Sequence, residues 1–153
     1  MSGFFIPLIE MKKKLLPIKI GDQYENWEFD LEALEHERIP FYDSYLYIGG
    51  IKKILNVLPQ KTELIFHWDV LEIVILTFVE LEDSTKQDFN RKLKLLHKIS
   101  SLQGDLNCCY SEYKSRSLSY CVISQLPNTT IIIYGRTHVI HPVLLDVLGE
   151  IQH

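Results

Sequence analysis

The stretch from Ile73 to Val79 reads Ile-Val-Ile-Leu-Thr-Phe-Val and constrains the fold of this chain more than any other feature. Its residues are nearly all β-branched or large and apolar, without the alternation that leaves one strand face in water. Such a run predicts a strand covered on both sides. A second strand-forming run, Thr130-Ile131-Ile132-Ile133-Tyr134, follows further along.

The segments before that second run have the spacing of a meander. Leu106, Cys108 and Tyr110 alternate with smaller or polar neighbours, and Leu118, Tyr120 and Val122 alternate again after a turn at Ser115-Arg116-Ser117. Pro127-Asn128 marks the next turn. These connections are too short for crossover helices, so the three strands are expected to be antiparallel. Upstream, Tyr45 to Ile48 is rich in strand formers and stops at Gly49-Gly50, while Glu63 to Trp68 alternates with Leu64, Phe66 and Trp68 on one side.

Helical spacing occurs in four places, and in the first of them Tyr24, Trp27, Leu31 and Leu34 compete with the strict strand alternation of Trp27 to Glu32. Ile51, Ile54, Leu55 and Leu58 predict a short helix ended by Pro59. Ser84 and Gln87 match a capping box, followed by a stripe of Phe89, Leu93, Leu96, Ile99 and Leu102 that runs to Gly104. Acids precede this helix and lysines lie toward its end, as the helix dipole favours. Pro142 suits the first turn of a last helix carrying Leu144, Val147, Leu148 and Ile151. The expected fold class is α+β: a mostly antiparallel sheet of about five strands, one long helix packed on a face, and a C-terminal helix. Residues 1–153 are expected to form a single globular domain.

With 46% hydrophobic residues, the chain holds enough apolar material for a core without metal or disulfide staples. Its cysteines, Cys108, Cys109 and Cys121, are three in number, which does not suit a disulfide scaffold. Cys108 and Cys109 are adjacent, so on a strand they face opposite ways, and Cys121 is expected to pack beside one of them. The first residues lack a basic segment before their short apolar run, and Lys12 to Lys14 follow it, an order unlike a signal peptide. No stretch reaches the roughly 18 apolar residues of a membrane span. A cytoplasmic protein without a membrane partner is the expectation.

The net charge of −4 gives no general reason to expect nucleic-acid binding. Lys86, Arg91, Lys92, Lys94 and Lys98 read as the solvated outer face of the long helix.

Groups that could carry chemistry are sparse. His67 and Asp69 could share one side of a strand, but no third ligand accompanies them, so neither a metal nor a cofactor is expected. Gly49-Gly50-Ile51-Lys52-Lys53 lacks the frame of a phosphate-binding loop. Arg136, His138 and His141 would lie in a strand-to-helix loop, where histidine could move protons and arginine could hold a phosphate or oxyanion. They define the alternative reading, a phosphoryl- or nucleotide-directed enzyme. No complete catalytic constellation appears, and no catalytic residue is assigned.

The stronger signal is acidic. Asp22, Glu25, Glu28, Asp30, Glu32, Glu35 and Glu37 fall within one segment that holds no lysine or arginine. If Trp27 to Glu32 is a strand, Glu28, Asp30 and Glu32 share one face and Trp27, Phe29 and Leu31 the other. Like charges so close repel, and a basic partner would turn that repulsion into steered association. The expected binding residues are Glu25, Trp27, Glu28, Asp30, Glu32 and Glu35. The expected partner is a basic, toxin-like protein, which makes the chain an inhibitor module such as an immunity protein against a bacterial nuclease toxin. A self-associating structural subunit, pairing through an exposed sheet edge, is a further alternative.

Overall fold

The computed structural model describes residues 16–50, 53–94, 96–103 and 108–151, with the backbone alone over 97–103. Eight antiparallel strands form one sheet: β1 (Leu31–Ala33), β2 (Asp43–Tyr47), β3 (Lys61–His67), β4 (Val70–Val79), β5 (His97–Gln103), β6 (Cys108–Ser115), β7 (Leu118–Gln125) and β8 (Thr129–Arg136). Their order is β1-β2-β3-β4-β8-β7-β6-β5. The α-helices among the described residues are α1 (Asp83–Leu93) and α2 (Thr137–Ile151). The class is α+β with an antiparallel sheet, as expected, but the strands among the described residues number eight rather than about five.

The run that predicts a doubly covered strand lies at the centre of the sheet. β4 pairs with β3 on one side and β8 on the other, and Ile73, Val74, Ile75 and Leu76 are all buried. Leu64, Phe66, Val74, Leu76, Ile132 and Tyr134 point to one face, where Phe89 and Leu93 of α1 and the segment around Leu16 and Ile18 cover them. Ile65, Ile73, Ile75, Ile131 and Ile133 point to the other, under Val139, Ile140, Val143, Leu144 and Val147 of α2. The Tyr134 hydroxyl donates to the Ile18 carbonyl at 2.7 Å, fastening the N-terminal segment to the first face.

One irregularity shifts the alternation of β4, so that Leu71 shares the first face with Val74 and Leu76. Ile65 pairs with Ile73 and Phe66 with Leu71, leaving Glu72 as the extra residue of a bulge. Gly135 of β8 faces that bulge, and a Cβ there would lie 2.2 Å from the Glu72 carbonyl oxygen. Only glycine allows the two backbones to meet so closely.

Several sequence expectations are corrected. The helix expected from Ser84 to Gly104 begins at Asp83 and ends at Leu93, and residues 97–103 pair with β6 as an edge strand. Ladder bonds to β6 satisfy that backbone, so pairing overrides the helical spacing of Ile99 and Leu102. Ser84 makes no capping bond, because the chain turns helical one residue earlier and Glu82 takes the N-cap position. Gly104 and Leu106 lie outside the described residues. The longest helix among the described residues is the C-terminal one, with 15 residues, and it starts at Thr137, which puts Pro142 inside it.

The helix expected over Ile51 to Leu58 is absent from residues 53–58, Ile51 and Lys52 lying outside the described residues. Leu55 and Asn56 instead adopt φ of 57° and 64°, and Ile54 and Val57 exchange backbone bonds across them. That is a two-residue reverse turn. Without a helix after Gly49-Gly50, no helix N-terminus stands there to meet a phosphate.

Candidate functional site

The acidic segment surrounds the β1 edge of the sheet. Two single 3₁₀ turns, Tyr24–Asn26 and Glu28–Asp30, carry it across the first face before β1 runs back beside β2. Asp22 braces this course: its carboxylate accepts Asn26 Nδ2–H at 3.1 Å and Trp27 Nε1–H at 3.2 Å. The turns close on their own backbone, Trp27 N–H on the Tyr24 carbonyl and Asp30 N–H on the Trp27 carbonyl, both at 2.8 Å, which takes up groups that a strand would pair. The expected strand over Trp27 to Glu32 therefore exists only from Leu31.

The expected face-sharing is corrected with it. Trp27 is half-buried and meets Tyr47 edge-on at 5.6 Å, whereas Phe29 is 90% exposed. Glu25 lies in the first 3₁₀ turn, Glu28 and Asp30 in the second, Glu32 on β1 opposite Leu46, and Glu35 beyond the strand. All five carboxylates are exposed, and none forms an ion pair among the described residues. The Asp30 carbonyl accepts the Ile48 N–H at 2.8 Å, and its side chain occupies the space a Gly49 Cβ would need. Five of the six expected residues thus present their side chains to solvent, and Trp27 acts mainly as their support.

Exposed aromatic side chains join the acids. Phe41 is 90% and Trp68 85% exposed, and both have left-handed backbones, at φ 72° and 51°. Phe41 follows Pro40 in a turn closed by Tyr42 N–H on the Ile39 carbonyl, at the position where a type II turn prefers glycine. Trp68 and Asp69 form the two-residue turn between β3 and β4. Such geometry costs a bulky residue about 1–2 kcal/mol, with no burial to offset it. The two turns belong to one corner of the sheet, since Tyr42 stacks on His67 at 4.3 Å and Tyr24 N–H bonds the Asp69 carbonyl at 2.7 Å. The expected His67–Asp69 pair on one strand side is not formed, because Asp69 lies in the turn.

Beneath this edge is a group that sequence reasoning missed. Arg38 follows the acidic run, is buried, and grips Glu63 with two bonds of 3.1 Å, with further bonds to Asp146 and Glu150 at 3.1 and 2.6 Å. Burial works against its charge, but Glu63 and the bonds to Glu150 and Asp146 outweigh burial and hold its pKa above the ordinary value. The network ties the β1–β2 connection to β3 and α2. The sequence signal was a lone acid, Glu63, directly before the apolar run Leu64 to Phe66.

Arg136, His138 and His141 are not in a loop. β8 passes directly into α2, and both histidines lie in its first turns, exposed to solvent. Arg136 pairs with Glu72 at 3.5 Å. No three side chains among the described residues are arranged to hold a metal ion. Cys108 is buried and Cys109 exposed, as alternation requires, and Cys121 shares the apolar cluster of Cys108.

No protein-family model matches the chain, and no curated protein does. Among solved structures, a GTP binding regulator from Thermotoga maritima aligns over 82% of this chain and 84% of its own, with 14% identity and a TM-score of 0.40. A likeness that slight carries no argument about function. No helix among the described residues is long and apolar enough to cross a membrane.

Proposed function

We propose that the β1 edge is a docking surface for a basic protein, and that the chain is a protein-binding module whose concrete form is an inhibitor of a basic, toxin-like partner. The observation that carries this reading is the run of unpaired acids along the β1 edge, with exposed Phe29 among them and exposed Phe41 and Trp68 in the turns of the adjoining corner. Glu25, Glu28, Asp30, Glu32 and Glu35 supply a field that steers a cationic surface. Phe29, Phe41 and Trp68 supply the large side chains that dominate binding energy once water is excluded. Two of those aromatics are held at backbone angles that disfavour them, a pattern that fits binding better than stability. The same charges oppose self-association, since pairing two β1 edges would set acids against acids.

Replacing Glu28, Asp30 and Glu32 together by Lys tests the reading. The chain should remain folded, because all three side chains are exposed, and should lose a basic partner that the native chain retains from extracts of its host. Equal retention of that partner by the folded variant would refute it.

A further inference from the structure

The second surface that invites a ligand lies in the other half of the sheet and has the opposite charge. α1 buries only Phe89 and Leu93. On the same side of the helix, Lys86 and Asn90 stand where a third and fourth apolar residue would close it onto the sheet. A groove of about 680 Å³ remains between α1 and the first face of β6, β7 and β8, within the range of small-molecule sites.

Leu81, Phe89, Val122 and Ile132 supply its apolar walls, and Lys86, Arg91 and Lys94 its charges, with no carboxylate among the described lining residues. Asp83 and Asp88, which approach Lys86 and Arg91 at 4.0 and 3.0 Å, lie outside the lining. Thr130 also lines the groove on the side of Ile132, is only 3% exposed, and its hydroxyl oxygen has no hydrogen-bond partner. A buried hydroxyl without a partner is costly, and few native structures keep one without a use. Of the bases expected on an outer solvated face, Lys86, Arg91 and Lys94 thus line the groove.

We propose that this groove binds a small amphiphilic anion, its apolar chain along Leu81, Val122 and Ile132 and its charged end held by Lys86 and the Thr130 hydroxyl. A carboxylate or a phosphate monoester meets those donors equally well. Titrating the full chain with decanoate, decyl phosphate and decyltrimethylammonium, followed by NMR, separates recognition of the anionic end from binding of the apolar chain alone. Both anions should bind with one-to-one saturation and shift the Thr130, Val122 and Ile132 signals, and the cation should not bind. Lys86→Glu should weaken the anions by about tenfold or more, the value of a hydrogen bond to a charged group. Thr130→Val should weaken them several-fold without lowering the unfolding midpoint, because it removes an unpaired buried hydroxyl. Lys19→Glu, outside the groove, should leave affinity unchanged. Lack of saturation, equal binding of the cation, shifts centred on the Trp27 side of the sheet, or an unaltered affinity in Lys86→Glu would overturn the proposal.

Discussion

Arg38 and Glu63 are the residues whose loss the fold should feel most. Their side chains are 4% and 2% exposed, so removing either leaves the other charged and enclosed. Arg38→Ala should cost about 3–5 kcal/mol in urea unfolding. Arg38→Met combined with Glu63→Leu should recover most of that loss, since apolar residues of similar volume replace a buried pair without an orphaned charge. A double variant as unstable as the single one would show that Arg38 acts through Asp146 and Glu150 instead. Alkali gives a second test. Burial, with Glu112 nearby, raises the Cys121 thiol above its ordinary 9.0, and burial first, then Tyr24 and Asp43, pushes Tyr45 up to about 12. Groups raised in this sense bind their protons more tightly in the folded chain, so their stabilisation is complete below pH 9 and declines as pH rises through the raised values. The urea midpoint should hold between pH 7 and 9 and fall above it, and a flat profile to pH 11 would contradict this burial.

Tight backbone junctions decide which elements form. Gly135→Ala would push β8 off the β4 bulge and should destabilise the fold by about 1–3 kcal/mol, as overpacking does. The strained turns predict the opposite. Phe41→Gly, or Asn-Gly in place of Trp68-Asp69, suits the left-handed geometry and should raise stability by roughly 0.5–1 kcal/mol while weakening partner capture. Stabilisation with undiminished capture would remove the aromatics from the interface. These elements also show how far sequence reading reaches. The doubly buried β4 and the β6–β8 meander were legible because β-branched runs and short turns admit few other arrangements. The long helix was misread because Leu93, Leu96, Ile99 and Leu102 keep helical spacing although the chain leaves the helix after Leu93 to pair with β6. The acids of the candidate site were legible as composition, but their geometry was not, since Tyr24 to Asp30 closes into two short 3₁₀ turns that neither strand alternation nor helical spacing announces. Phe41 and Trp68 gave no signal, because glycine or asparagine is what such turns normally announce.

Across the whole molecule, charge is segregated rather than low. The net −4 hides unlike parts: seven acids and no lysine or arginine from Asp22 to Glu37, six acids and no lysine or arginine from Glu63 to Asp83, and five bases with one acid from Lys86 to Lys98. A molecule so divided should attract a basic partner at one edge and small anions at the other, with little interference between them. Lys86→Glu should leave partner capture unchanged, and the Glu28, Asp30 and Glu32 reversal should leave anion binding unchanged. The dependence of partner association on salt tests the acidic edge most directly. With the captured partner in hand, the association rate of the native chain should fall steeply between about 20 and 300 mM salt, as screening shortens the reach of exposed charges. The triple lysine variant should associate slowly at every ionic strength. A rate independent of salt, or a native chain and variant with the same rate, would contradict the account.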